Sequence, residues 1–140
     1  MEQRFELTDT EIEDIKKKLV DTLSRHDEIS FAYLYGSFGK LPFRDIDIGA
    51  YCLIPRDAVF DFELTIASQL ETAAGYPVDF RVLNYAPIGF QFSAIDEGSL
   101  LFERDAGLRL NFVEETGLLY MDYYEFSKSY FRELMECIKK

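Results

Sequence analysis

AYLYGSFGKLPFRDIDIGAY, residues 32–51, is the stretch on which the fold turns. It contains the end of an aromatic and β-branched run, residues 29–35, which stops at Gly36-Ser37, a turn signal. Seven residues later, Asp45 and Asp47 flank Ile46 at the start of a second apolar run. Alternation of acid and isoleucine is the period of a half-buried strand, so residues 45–53 are expected to form a strand with one polar edge. Residues i and i+2 of a strand point the same way, about 7 Å apart. Asp45 and Asp47 therefore project together, and two carboxylates on one surface repel unless a positive charge lies between them.

Working outward, Thr8 and Glu11 form a capping-box pattern, and Ile12, Ile15, Leu19 and Leu23 follow at helical spacing, so residues 9–25 are expected to be a helix. Val59, Phe62, Ile66 and Leu70 mark a second helix that Gly75 and Pro77 stop. Residues 77–84 alternate again. Asp79 and Arg81 share one face of that strand, and Val78, Phe80 and Val82 share the other. A short helix is expected from Pro87 to Gly98, then a brief strand or turn over 99–105. The expected order is α-β-β-α-β-α-β, followed by helical chain from Ala106 interrupted at Gly117. Six of the fourteen residues from 118 to 131 are aromatic. Core packing is the default reading of that stripe, and a partner-binding or dimer face is the alternative.

With 140 residues, 48% of them hydrophobic and 16% aromatic, the chain is expected to fold as one domain, residues 1–140, with a core to about 105 and a helical extension beyond. No apolar stretch reaches the roughly 20 residues that cross a bilayer, and the acidic start does not resemble a secretory signal, so a cytoplasmic protein without membrane contact is expected. Cys52 and Cys137 stand far apart with a single histidine in the chain, which indicates neither a disulfide framework nor a zinc site; both thiols are expected to be buried. A net charge of -11 argues against direct nucleic-acid binding, which needs clustered Lys and Arg. A polyanionic ligand remains compatible with that charge when a cation accompanies it.

Without His or Cys clusters the available ligands are oxygens, which suit hard cations such as Mg2+ or Mn2+. Mg2+ is commonly held by one or two carboxylates together with substrate phosphates. Gly36 permits close approach of a ligand to the backbone, and the amides and hydroxyl of Gly36-Ser37 can donate to phosphate oxygens. Asp79, on the polar face of a later strand, is the third candidate carboxylate. Three acids can hold two metals roughly 3.5 to 4 Å apart, one activating an acceptor hydroxyl and one neutralising leaving pyrophosphate, with Asp79 as ligand, base or both. A P-loop is excluded: the position five before Gly39 is Leu34, and Leu41 follows Lys40 where Ser or Thr is needed.

The Gly-Ser turn, the Asp-x-Asp pair and the later strand carboxylate resemble the signature of the DNA polymerase β-like nucleotidyltransferase superfamily. The likeness is nearest to the minimal nucleotidyltransferases, the MNT antitoxins paired with HEPN toxins, and it runs through residues 78–105 into the C-terminal part. The resemblance implies an α/β (α+β) fold, a small mixed sheet with helices mainly on one face plus C-terminal helices. It implies Mg2+ (or Mn2+) as cofactor and ATP as substrate, with AMP transferred to a tyrosine hydroxyl of a HEPN ribonuclease. Carried over residue by residue, Gly36 and Ser37 bind phosphates, Asp45 and Asp47 bind metal, and Asp79 completes the triad. Lys40 stands where the family often has Arg and is assigned a triphosphate contact, with Arg44 the next candidate. The seven-residue loop between Ser37 and Asp45 is shorter than the family's usual one.

Two other functions fit the same fold. One is an antitoxin that neutralises its toxin by binding alone, through the aromatic C-terminal helices, which also offer a route to a homo-oligomer. The other is a nucleotidyltransferase acting on a small molecule such as an aminoglycoside, although the chain after the core is short for a second acceptor-binding domain.

Overall fold

The computed structural model of the chain describes residues 3–40 and 42–139; Leu41, in the loop before the Asp pair, lies outside them. Eight principal elements follow in order: α1 (Asp9–Ser24), β1 (Ile29–Tyr35), β2 (Ile46–Cys52), α2 (Val59–Ala74), β3 (Val78–Val82), α3 (Ile88–Glu97), β4 (Ser99–Glu103) and α4 (Ala106–Lys139). Single 3-10 turns precede α2 and follow β3. The strands form one sheet ordered β3-β2-β1-β4. β1 is antiparallel to β2 and β4, while β2 and β3 run parallel, so the sheet is mixed. A parallel pair needs a crossover connection, and α2 supplies it.

The helix ends follow the chemistry of their sequences. At α1, the Glu11 amide donates to Thr8 Oγ1 at 3.2 Å and the Thr8 amide donates to Glu11 Oε1 at 3.0 Å, which closes the capping box. α2 stops at Gly75, whose φ of +81° is the left-handed conformation that terminates helices.

Strand alternation divides the apolar residues between two cores. Ala32 and Leu34 of β1, Ile46, Ile48 and Ala50 of β2, and Val78, Phe80 and Val82 of β3 pack with Ile15, Leu19 and Leu23 of α1 and with Ile66 and Leu70 of α2. This is the larger core. On the opposite face, Phe31 and Tyr33 of β1 join Leu83, Ala94 and Phe112 in a smaller cluster beneath α3 and the first turns of α4. Asp47 and Asp79 belong to that second face.

The loop between β1 and β2 is anchored at both ends. Phe38 and Phe43 are buried and pack edge to face at 4.9 Å, and Phe5 pairs with Phe43 through two backbone hydrogen bonds of 2.7 and 2.9 Å. Two of the seven loop residues are therefore committed to the core, which fixes the Gly36-Ser37 turn against the first strands.

Several expectations need correction. Asp45 lies one residue before β2 rather than within it: the chain is still bent there, and ladder bonding begins with Ile46 N donating to Pro77 O at 2.8 Å. α4 is continuous, without a break at Gly117, where a side chain would meet open space and no packing forces a bend. Cys52 is buried but Cys137 is exposed, because it lies on the part of α4 beyond the sheet. The aromatic stripe is not core. Phe112 and Thr116 are the buried residues of α4, whereas Phe126 is 70% and Tyr130 61% exposed. No helix among the described residues is long and apolar enough to cross a membrane.

Candidate active site

Three strand ends place the candidate residues. Asp47 is paired on one side with Tyr35 of β1 and on the other with Asp79 of β3. In-register partners on neighbouring strands lie about 4.8 Å apart and face the same way, so the carboxylates of Asp47 and Asp79 are adjacent. Asp45 enters from the bend immediately before β2, and its charge bears on Asp47. The sequence places Asp79 on the polar face of a strand; the parallel register sets it next to Asp47.

Gly36 joins this group from the other side. Its φ of +78° is left-handed, and a Cβ built there would overlap Asp47 Oδ2. Glycine is thus required twice, once by the turn and once by the carboxylate that fills the missing side chain's place. Ser37 is half-buried in the same turn, and its carbonyl accepts from the Lys40 amide at 3.1 Å. The Lys40 ammonium donates to the Glu97 carbonyl at 3.2 Å, which holds it at the C-terminal end of α3. Arg44 is the loop cation whose charge acts on Asp47.

The electrostatics reflect crowding of like charge. Burial first, then the charges of Asp45 and Asp79, push the Asp47 carboxyl up to about 6, while Arg44 and Arg81 pull the other way. Arg81 Nε donates to Asp79 Oδ1 at 3.0 Å, an ion pair between neighbours on one face of β3, and this bond raises the Arg81 guanidinium above its ordinary value. Among the described residues no three acidic, histidine or cysteine side chains form a ready-made cluster around one point. Asp79 is instead turned to Arg81, the positive charge within its reach.

These residues fit a hard divalent cation accompanied by phosphate. The donors are all oxygens, burial and then the charges of Asp45 and Asp79 disfavour the Asp47 carboxylate in a way that a cation would relieve, and the Gly36 backbone, which has no side chain, lies against Asp47. Two residues to which the sequence assigns no role also belong here. Arg81 was visible as the i+2 neighbour of Asp79. Tyr35, whose hydroxyl is buried without a hydrogen-bond partner, looks in sequence like any other aromatic strand residue.

Residues 17–107 match the family model described as Polymerase beta, Nucleotidyltransferase, a span that includes all four strands and every residue of the site. No curated protein sequence matches the chain. Among solved structures, it is similar to a chain from a complex of tri-AMPylated Shewanella oneidensis HEPN toxin with MNT antitoxin, at TM-score 0.68 and 20% identity, covering 89% of this chain and 98% of that one. A toxin-antitoxin crystal structure with AMP-PNP is similar at TM-score 0.68 and 21% identity, over 86% of this chain and 98% of that one. The toxin-antitoxin MntA-HepT is similar at TM-score 0.65 and 19% identity, over 86% and 97% respectively. At such identities the likeness is one of fold.

Proposed function

Because the chain belongs to the polymerase beta nucleotidyltransferase family, we propose that it is an MNT-type antitoxin that transfers AMP from ATP to a tyrosine hydroxyl of a HEPN-type toxin. The observation that carries the reading is the register that sets Asp47 beside Asp79 with Asp47 packed against the Gly36 turn. It supports the reading because a side-chain-free turn and two acids of different surroundings lie together, as in-line phosphoryl chemistry needs.

In this reading Gly36 and Ser37 hold the triphosphate, and Asp45 and Asp47 would hold Mg2+ or Mn2+. The bound cation supplies charge neutralisation on the triphosphate oxygens. Asp79 is the candidate base. The acceptor oxygen forms a bond to the α-phosphorus while the bond to the β-phosphate oxygen breaks, pyrophosphate departs, and the hydroxyl proton passes to the Asp79 carboxylate. Arg81 then has a second use, since its guanidinium orients the Asp79 carboxylate until the acceptor arrives. Lys40 and Arg44 supply positive charge from the loop. Use of ATP as donor is in keeping with a cytoplasmic protein.

The exposed aromatic face of α4 favours a second element, docking of the partner protein on residues 118–139. Binding and transfer then act on the same toxin. The test is labelled ATP incubated with this chain and a HEPN-type toxin, followed by intact-mass measurement. AMP additions that need Mg2+ and vanish with Asp47→Asn support transfer; a toxin silenced and co-purified without any mass change supports neutralisation by binding alone.

A further inference from the structure

Among the described residues, the Tyr35 hydroxyl is the buried side-chain polar atom with no hydrogen-bond partner. Leaving such a group unsatisfied is costly, so its presence asks for a reason. Packing does not supply one. The ring meets Phe90 edge to face at 5.6 Å, and Gly98 leaves room against the Tyr35 Cβ, contacts that phenylalanine would make equally well. The oxygen is what distinguishes tyrosine here, and it lies on the face of the sheet that carries Asp47, its register partner, and Asp79 one strand further on. A phenol is protonated at neutral pH, and burial first, then the charges of Asp79 and Asp47, shift it further in that direction, so the hydroxyl is a donor.

Asp79 has one oxygen occupied by Arg81, and a carboxylate offers about four acceptor positions. We propose that Tyr35 is a positioning residue of the transfer site, its O–H held for the Asp79 carboxylate when that carboxylate turns from Arg81 toward a bound nucleotide and cation. The inference rests on the reading of the site given above. Tyr35 and Arg81 would then be alternate partners of one acid, Arg81 in the unloaded protein and Tyr35 in the loaded one.

The test compares the full chain with Tyr35→Phe, which keeps the ring. Thermal melting without ligand is expected to leave the variant as stable as the wild type or slightly more so, because an unsatisfied hydroxyl is gone. Titration with Mg2+ and a non-hydrolysable ATP analogue is expected to show about a tenfold weaker Kd, and the tyrosine band of the ultraviolet difference spectrum on loading should be missing from the variant. A variant melting several degrees lower with an unchanged Kd would assign the hydroxyl a structural role and overturn the proposal, as would wild-type behaviour in both measurements. A wild-type chain that binds no analogue in the presence of Mg2+ would overturn the reading of the site and the role of Tyr35 with it.

Discussion

Asp47 and Asp79 face the same side of the sheet from directly paired positions on two parallel strands, with no intervening residue to separate their charges. Burial of Asp47, then the charge of Asp45 and that of Asp79, give a native state that binds a proton more readily than the unfolded chain does. Asp47 titrates near 6 when folded, against an ordinary value of 3.8. Between those values the native state holds more protons, so this carboxyl makes stability fall as pH rises through the window, and the full penalty applies above it. Asp47→Asn removes the charge. In metal-free buffer at pH 7.5 the variant should be more stable than wild type by about 1 kcal/mol, solvent screening of a half-buried group having reduced the larger value implied by the shift. Near pH 4 the two should melt together. Differential scanning calorimetry at both pH values checks this, and a variant less stable than wild type at pH 7.5 would contradict it.

Arg81 opposes that repulsion from the neighbouring strand position and holds Asp79 directly. Arg81→Ala should therefore destabilise the metal-free protein at neutral pH while making the site more attractive to cations, since a competing positive charge has been removed. We expect Mn2+ to bind about fivefold more tightly, a difference of roughly 1 kcal/mol, measured by electron paramagnetic resonance titration. Equal or weaker Mn2+ binding would separate Arg81 from the cation site.

Gly36→Ala and Gly75→Ala make a matched pair, because both glycines have left-handed φ, +78° and +81°. At Gly75 an added Cβ meets nothing, so only the backbone preference is lost, about 1 kcal/mol. At Gly36 the same Cβ runs into the Asp47 carboxylate, so strain at the turn is joined by displacement of a site residue. Urea denaturation should show a larger loss at Gly36, about 2–3 kcal/mol, and nucleotidyl transfer should be lost there alone. Equal losses would mean that Asp47 moves aside without consequence.

The contrast between those glycines also shows what was legible in the sequence. Alternation assigned Asp47, Asp79 and Arg81 to polar strand faces and Ile46, Ile48, Val78 and Phe80 to apolar ones, because side-chain direction follows from period alone. The capping box at Thr8 and the stop at Gly75 were legible for the same local reason. What covers a face is not local. The shortened loop reads as a simple count of residues, yet Phe38 and Phe43 bury themselves in the core and hold it. The ion pair of Asp79 with Arg81 could be anticipated from their spacing, whereas the unpartnered oxygen of Tyr35 depends on Phe90 and Gly98, which come from a distant part of the chain. The stripe on α4 has the periodicity of core, and only the tertiary arrangement shows that the sheet ends before the helix does.

That unsupported length of α4 yields the last prediction. Phe112 touches Phe31 and Tyr51 and is buried, so Phe112→Ala should cost about 3–5 kcal/mol of stability. Phe126 and Tyr130 are exposed on the same helix and pack against one another, with ring centroids 6.5 Å apart. Replacing both by serine removes no core contact, and the melting temperature of the isolated chain at low concentration should change by no more than the few tenths of a kcal/mol typical of surface positions. Association should respond very differently. Exposed apolar faces mark surfaces that bind a partner, so the double variant should lose binding to the proposed toxin, or self-association if a second copy covers the face, by about 100-fold or more. Light scattering of the chain alone and co-purification with the toxin distinguish the two occupants. A double variant that melts several degrees lower while monomeric would show that the stripe supports the fold of its own chain after all.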